Sequence, residues 1–161
     1  MPTDIPPLPP LEQVRTPDAE ELETSLGIQE SGGDYGARNP DAYGPDNPAL
    51  GKYQTLWTTA TEVLERHRRV LPRTQQEYLD DHRKQEEVMD LLMQEAIQQA
   101  TDDTPDGDLE TIIRKAAAIH YGGPGNMSLY NDTNPQEGGY PSFREYGDKV
   151  WTRYNAGTRG Y

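Results

Sequence analysis

The sequence predicts an all-α fold, in which one helical domain carries long irregular loops. Apolar residues recur three and four positions apart in several separate segments, which is the spacing of a helix with one buried face. The segments between them are rich in glycine, proline, asparagine and aspartate, the residues that favour turns and loops. No stretch shows the alternation of a half-buried strand, and no internal repeat is visible. These observations favour a helical domain over an architecture built around a sheet.

The first helix is predicted to begin at Thr16, which is placed to cap it, and to end before Gly32. Pro17 suits the first turn, and Asp18 is favoured by the positive end of the helix dipole. The segment 34–52 that follows has no periodicity and is predicted to be a long irregular loop. Long loops in compact domains are usually functional or disordered, and we expect this one to be functional.

The other helices are predicted from the same spacing of apolar residues. They cover residues 55–68, 74–100, 109–120 and 142–154. The region 74–100 fits either one long helix or two helices joined near His82, and the pattern does not decide between them. Residues 102–107 are predicted to form a turn, and residues 122–139 a loop rich in glycine and asparagine. The helical domain is expected to span residues 16–155, followed by a short tail at 156–161.

Residues 1–15 are predicted to form an extended, proline-rich arm outside this domain. Five of these residues are proline, which opposes a helix and favours the polyproline conformation. A disordered leader fits this composition. An arm that docks on a neighbouring protein chain fits it as well, with Ile5, Leu8 and Leu11 as apolar anchors.

Composition limits the classes of protein that fit. A formal charge of -13 over 161 residues argues against nucleic acid or an anionic membrane surface as the main partner. An apolar fraction of 32 % and a mean hydropathy of -0.98 predict a small core, and no apolar run is long enough for membrane insertion. There is no cysteine, the histidines lack the spacing of a zinc site, and no nucleotide-binding fingerprint occurs. We therefore expect no metal and no cofactor.

The motif that points most directly to chemistry is Glu30, at the end of the first helix. Leu22 and Leu26 stand four positions apart, so a helix through them puts Glu30 on the same buried stripe, one turn further on. Desolvation raises the pKa of a carboxyl group, and an enzyme that cleaves glycosides needs an acid that keeps its proton near neutral pH. This position makes Glu30 a candidate general acid. A solvated residue at a helix end is the alternative.

Several short motifs resemble those of the soluble lytic transglycosylase and goose-type lysozyme superfamily, in the family's order and spacing. They are Glu-Ser-Gly-Gly at residues 30–33, Asn-Pro at 39–40, Gly-Lys-Tyr-Gln at 51–54, Tyr-Gly-Gly-Pro-Gly at 121–125 and Phe-Arg-Glu-Tyr at 143–146. Any one of them is weak evidence, whereas the set in this order is not expected by chance. The resemblance covers roughly residues 18–155 and implies a lysozyme-like helical domain.

The resemblance also implies roles for individual residues. Glu30 would be the only catalytic carboxylate, acting first as acid and then as base. Substrate-binding roles are implied for Ser31, Tyr53, Gln54, His120, Tyr121 and Tyr146. The Tyr146 hydroxyl would in addition orient the carboxyl of Glu30. An ordinary packing or hydrogen-bonding role is the alternative for most of these side chains.

Three positions depart from the family pattern, and the first is His120, which occupies a position where the family has tyrosine. Tyr121 occupies a position where asparagine usually contacts the sugar, and Phe143 replaces a threonine. In lytic transglycosylases the base step gives a 1,6-anhydro product, whereas goose-type lysozymes use water as the attacking group. Aspartates in the loop after Glu30 are the candidates for holding such a water, although loop aspartates are usually turn formers. Anhydro products are therefore favoured.

The implied function is that of a peptidoglycan lytic transglycosylase, which cleaves the β-1,4 bond between N-acetylmuramic acid and N-acetylglucosamine. Because no export signal is visible at the start of the sequence, we expect a phage virion component that acts in the bacterial periplasm. Its partners would be peptidoglycan glycan strands and, through the arm, other virion proteins. One alternative is a structural tail or baseplate protein with a lysozyme-like fold and weak or lost catalysis. Another is a bacterial cell-envelope enzyme exported by a route that the sequence does not reveal.

Overall fold

The computed structural model describes residues 17–40, 44 and 46–159 of the chain. The predicted arm and Thr16 lie outside these residues. Within them the prediction of a largely helical fold is confirmed. The α-helices are Ala19–Ser31 (α1), Trp57–Arg66 (α2), Gln75–Asp80 (α3), His82–Asp103 (α4), Leu109–Gly122 (α5) and Phe143–Arg159 (α6), and short 3-10 helices cover Pro124–Leu129 and Glu137–Gly139.

A small antiparallel sheet corrects the all-α prediction. Its strands are Arg38–Asn39 (β1), Ala49–Leu50 (β2) and Thr55–Leu56 (β3), in the order β1-β2-β3. Asn39 pairs with Ala49, and Ala49 pairs with Leu56. Each strand has 2 residues, which is too short for an alternating pattern to be visible in the sequence. The loop predicted over 34–52 therefore pairs with itself through β1 and β2.

The residues that flank α1 in the sequence cap it at both ends. The Asp18 side chain accepts a hydrogen bond from Glu21 N at 3.1 Å, and Gly32 ends the helix with a φ of 68°. The prediction that Thr16 caps this helix is wrong. Asp18 directly precedes the first helical residue and is the cap, and aspartate caps a helix as well as threonine does. Asp18 N also donates to the hydroxyl of Tyr154 at 2.9 Å, which ties the start of α1 to α6.

The region that the sequence predicts as one or two helices consists of two. α3 and α4 meet at Asp81, whose φ of -99° and ψ of 88° interrupt the helix. The Asp81 side chain then caps α4 by accepting a hydrogen bond from Lys84 N at 3.0 Å. The last helix continues to Arg159, into the segment that the sequence predicts to be a tail.

Two hydrophobic clusters form the core, and α4 contributes to both. The first packs α1, α4, α5 and α6 together through residues that include Leu22, Leu26, Met89, Met93, Ile112, Ile113 and Val150. The second packs α2, α3 and β2 against α4 through residues that include Leu50, Val63, Leu64, Tyr78 and Val88. The first cluster brings the end of α1 close to α5 and α6. None of the described helices is long and apolar enough to span a membrane.

Candidate active site

The end of α1 holds Glu30 against side chains from α5 and α6. The Tyr146 hydroxyl donates a hydrogen bond to Glu30 Oε1, and His120 Nε2 lies 3.7 Å from the same oxygen. The Glu30 side chain is 20 % exposed, so a ligand can reach it. Among the described residues both contacts fall on Oε1, which leaves Oε2 for a bound group. Glu30, His120, Tyr121 and Tyr146 are called the Glu30 cluster below.

The local sequence explains why the carboxylate lies at this place. Leu22 and Leu26 are fully buried, and Glu30 follows one turn later on the same side of the helix. Gly32 then ends the helix in the left-handed conformation that glycine adopts most readily. The helix therefore stops just after Glu30, at the border of the core.

Two stacked tyrosines support the carboxylate. The ring centres of Tyr121 and Tyr146 are 4.2 Å apart, and the rings are 14° from parallel. Burial raises the pKa of Tyr146 well above its ordinary value, and the charge of Glu30 raises it further. Burial also raises the pKa of Tyr121 to about 12, with smaller contributions from Glu30 and Tyr140. Both hydroxyls therefore keep their protons, and Tyr146 is the donor in its bond to Glu30.

His120 links α5 to the segment after β2 and lies beside the carboxylate. Its side chain is 6 % exposed, and Nε2 lies 3.1 Å from the backbone oxygen of Tyr53. A carbonyl oxygen can only accept a hydrogen bond, so Nε2 carries the hydrogen. The same N–H lies near Glu30 Oε1, at a distance too long for a full hydrogen bond. His120 therefore bonds the backbone of Tyr53 and places its ring beside the Glu30 carboxyl.

Ser31 joins the end of α1 to the segment after β2. Its hydroxyl donates to the backbone oxygen of Lys52 at 2.6 Å. It also accepts a hydrogen bond from Asp34 N at 2.9 Å. The predicted binding residue Ser31 thus adjoins Glu30 along the helix, but its hydroxyl is engaged with the protein.

The other two predicted binding residues, Tyr53 and Gln54, lie in a turn next to α1. Tyr53 is buried, and its hydroxyl donates to Glu86 on α4. Gln54 has a φ of 50°, and its side-chain amide donates to Gly51 O at 3.0 Å. Only the backbone of Tyr53 reaches the Glu30 cluster, through His120. The structure therefore brings His120, Tyr121 and Tyr146 together with Glu30, whereas the Tyr53 side chain belongs to a different group of residues.

That different group, called the Glu86 cluster here, consists of Tyr35, Lys52, Tyr53 and Glu86. Both tyrosine hydroxyls donate to the Glu86 carboxylate, and Lys52 Nζ lies 3.4 Å from it. Lys52 Nζ also lies 5.1 Å from the centre of each tyrosine ring. Sequence reasoning missed Glu86, because a glutamate on a long charged helix carries no local signal of a buried partner.

Glu23 of α1 adjoins the Glu86 cluster, and the pKa of its carboxyl is higher than the ordinary value. Burial is the main cause that raises the pKa of Glu23 to about 9. A hydrogen bond with Asp90 and the charges of Asp90, Glu86 and Glu20 contribute as well. Glu23 and Glu30 stand two helical turns apart on one face of α1, a spacing that is visible in the sequence.

Gly27 lies between these two glutamates on the same face of α1. A Cβ atom there would lie 3.0 Å from Lys52 Cε and 3.1 Å from Tyr53 Cε1. A side chain at this position would press against the Lys52 and Tyr53 side chains, which would have to shift by a few tenths of an ångström. Glycine therefore allows the turn to lie directly on α1, between Glu23 and Glu30.

Gln85 fixes the other side of the same turn and was also missed from the sequence. It is 1 % exposed, and its Oε1 accepts a hydrogen bond from Lys52 N at 2.9 Å. Its amide nitrogen donates to the backbone oxygens of Tyr35 and Leu79, at 3.0 and 3.1 Å. A Cβ at Gly51, which has a φ of 79°, would lie 2.1 Å from Gln85 Oε1. The turn, the loop before β1 and the end of α3 are thus held by one buried amide.

Other parts of the described chain offer less chemistry. Within residues 17–40, 44 and 46–159, no group of three or more histidine, cysteine, aspartate or glutamate side chains is arranged to hold a metal ion. Two open surface depressions lie around α3 with the start of α4, and between α4 and the 3-10 helix at Pro124–Leu129. Glu30 lines neither of them.

Comparison with known proteins gives no assignment. The chain matches no family model, no curated protein and no solved structure. The geometry of the Glu30 cluster and the motif pattern are therefore the basis for a functional proposal.

Proposed function

We propose that this chain is a peptidoglycan lytic transglycosylase that cleaves the β-1,4 bond between N-acetylmuramic acid and N-acetylglucosamine. The observation that carries the proposal is the bond between the Tyr146 hydroxyl and Glu30, with His120 beside it. These residues come from α6, α1 and α5, and the motif pattern in the sequence independently groups all three into one site. A part-exposed carboxyl that accepts a hydrogen bond from Tyr146 and has the His120 ring beside it suits acid–base chemistry.

The arrangement suggests how one carboxyl group performs both steps. Tyr146 donates to Oε1, so the proton to be transferred is carried on Oε2. Glu30 first gives this proton to the glycosidic oxygen, and the bond to the anomeric carbon breaks. The resulting carboxylate then takes the proton of the muramic acid 6-hydroxyl, whose oxygen attacks the anomeric carbon. A 1,6-anhydro ring forms, and Glu30 is protonated again.

The choice of product depends on whether a second carboxylate positions a water molecule. Asp34 is exposed, and its Oδ1 accepts a hydrogen bond from Gly36 N at 2.9 Å, as expected of a turn-forming residue. Asp46 is also exposed, and Asp41 lies outside the described residues. This supports internal attack by the 6-hydroxyl over hydrolysis by a lysozyme-type muramidase.

The test is incubation of the purified chain with peptidoglycan, followed by mass spectrometry of the released muropeptides. The expected products carry 1,6-anhydro-muramic acid. Products with a reducing-end muramic acid would show that the chain is a hydrolytic muramidase and not a transglycosylase. Intact peptidoglycan after prolonged incubation would remove the enzymatic proposal.

A second candidate is a structural phage tail or baseplate protein with a lysozyme-like fold and weak or lost catalysis. One observation favours it: the Tyr121 hydroxyl, at the position where the related motif has a sugar-binding asparagine, donates to Pro141 O at 2.5 Å. Its ring also stacks on Tyr146. The side chain is therefore occupied within the protein and is a poor replacement for the asparagine amide.

For the setting of the activity we propose a phage virion, from which the enzyme acts on the cell wall in the bacterial periplasm. The composition of residues 1–15 supports an arm that docks on other virion proteins. The alternative setting is the envelope of a bacterium that exports the chain itself. Deletion of the arm distinguishes them, because in a virion it would spare catalysis and impair incorporation into the particle.

A further inference from the structure

Tyr140 is an exposed aromatic residue that is nevertheless held in place. It is 51 % exposed and lies in the loop before α6. A Cβ atom at Gly138 would lie 3.2 Å from Tyr140 Cε2 and 3.4 Å from Cδ2, so the ring lies against the backbone of Gly138. Gly138 has a φ of 77°, a conformation that favours glycine and allows this close approach. The exposed part of the ring is thus available on a rigid support.

Three further contacts fix the position of Tyr140. Its backbone oxygen accepts a hydrogen bond from Gln136 N at 3.1 Å. Its hydroxyl accepts one from Asn39 Nδ2 at 3.4 Å, across 101 positions of the sequence. The next residue, Pro141, accepts the hydroxyl of Tyr121 at 2.5 Å. An aromatic group that is already ordered binds a ligand at a lower entropic cost than a mobile one.

These contacts place Tyr140 next to the Glu30 cluster. Tyr121, which is bonded to Pro141, stacks on Tyr146, and Tyr146 donates to Glu30. The charges of Glu30 and Tyr140 both raise the pKa of Tyr121, so both groups lie within electrostatic reach of one hydroxyl. Asn39, which belongs to β1 of the small sheet, bonds to the hydroxyl of Tyr140. Tyr140 and Asn39 therefore join the loop before α6 to the sheet, beside the proposed site.

We propose that Tyr140 and Asn39 form a sugar subsite, in which one N-acetylhexosamine ring of the glycan strand stacks on Tyr140. The C–H groups on one face of a pyranose form an apolar surface that matches an aromatic ring. The Asn39 amide lies 3.4 Å from the Tyr140 hydroxyl, so it is placed to donate to a hydroxyl or acetamido oxygen of a sugar that stacks on the ring. This inference rests on the proposed function and adds to it a binding position that no motif assigns.

The test measures binding apart from cleavage. Peptide-free glycan strands, released from peptidoglycan by an amidase, are titrated calorimetrically into the Glu30→Gln variant, which binds without turnover. Adding Tyr140→Ala is expected to weaken binding about tenfold, because the stacking surface is lost. Adding Tyr140→Phe is expected to change it less than about twofold, because the ring remains. Tyr130→Ala is the matched control, since Tyr130 lies in the same loop but contacts Lys115, and should leave binding unchanged.

Each outcome decides the proposal. Equal binding with and without Tyr140→Ala would overturn the subsite. An equal loss for the alanine and phenylalanine variants would overturn stacking and assign the effect to the hydroxyl bridge with Asn39. Cleavage of peptidoglycan by the wild-type chain is measured alongside: where cleavage occurs and Tyr140→Ala has no effect, only the subsite fails. An absence of both cleavage and strand binding removes the proposed function. Thermal melting shows that each variant is folded.

Discussion

Glu23 and Glu30 lie on one face of α1, two turns apart, yet their surroundings differ in kind. Glu30 faces hydrogen-bond donors, the Tyr146 hydroxyl and the N–H of His120. Glu23 faces other carboxylates, Asp90 and Glu86, and its pKa is raised to about 9, mainly by burial. Donors around a carboxyl orient it for proton transfer, whereas neighbouring carboxylates make it retain a proton. The raised pKa of Glu23 therefore does not by itself mark a functional residue, since burial and the neighbouring carboxylates account for it.

Tyr53 connects the two regions. Its hydroxyl donates to Glu86, and its backbone oxygen accepts a hydrogen bond from His120. Gly27 lets Tyr53 lie directly on α1 between the two glutamates. Tyr53 is thus in contact with both clusters, through its hydroxyl on one side and its backbone oxygen on the other.

The largest expected effect comes from removing the carboxyl group of Glu30, the proposed acid. Glu30→Gln should lower glycan cleavage about 100-fold or more, because an amide is too weak an acid to protonate the leaving oxygen while it keeps the shape of the side chain. The measurement is the rate of release of muropeptides, with thermal melting to show that the fold is intact. Glu20→Gln, an exposed change on the same helix, should leave the rate unaltered. Near-normal cleavage by the Glu30 variant would show that the acid lies elsewhere.

The turn between the two glutamates depends on Gln85. Gln85→Leu should lower the free energy of unfolding by about 2 kcal/mol, since Lys52 N and the backbone oxygens of Tyr35 and Leu79 lose their buried partner. Urea unfolding measures this loss. Gln94→Leu on the exposed side of α4 is the control and should change the free energy little. Equal stability of the two variants would mean that the turn is held by other contacts.

Tyr146 distinguishes orientation of Glu30 from packing of the core. Tyr146→Phe should lower the turnover rate about tenfold, because a hydrogen bond to the carboxyl is lost while the ring still stacks on Tyr121. Tyr154→Phe removes another buried hydroxyl of α6, one that bonds Asp18 N. Tyr154→Phe should lower the free energy of unfolding about as much as Tyr146→Phe does, because each variant loses one buried hydrogen bond. It should leave the turnover rate unchanged. A loss of turnover in both variants would assign the effect to the helix and not to Glu30.

The comparison also shows which parts of the molecule the sequence can predict. Long helices reveal themselves, because residues such as Leu22 and Leu26 repeat over several turns. The two-residue strands show no pattern, since the backbone that pairs them is ordered by contacts such as that of Gln85. A buried glutamine on a charged helix looks like a solvated one, because the sequence does not show what covers it.

In the candidate site, too, the sequence predicts some residues and does not reveal others. Glu30 lies at the end of an apolar stripe, and its proposed partners lie in motifs with recognisable glycines and tyrosines, so sequence reasoning selects them. Tyr140 carries no such signal, because its neighbourhood depends on how the loop before α6 folds against β1. Glu23 is visible by spacing alone, but its carboxylate neighbours on α4 become apparent only when the helices pack.

The last expected effect concerns the proton that Glu23 retains. Its folded pKa of about 9 exceeds the ordinary value of 4.5, so between these pH values the folded chain binds a proton that the unfolded chain has released. The contribution of Glu23 to stability is therefore fully present below about pH 4.5 and is lost as the pH rises toward 9. Glu23→Gln keeps the hydrogen-bonding shape without titrating. Free energies of unfolding measured in urea from pH 5 to pH 9 should fall with pH more steeply in the wild type than in the variant. Parallel pH dependences would mean that Glu23 titrates alike in both states and that its carboxylate neighbours do not act on it.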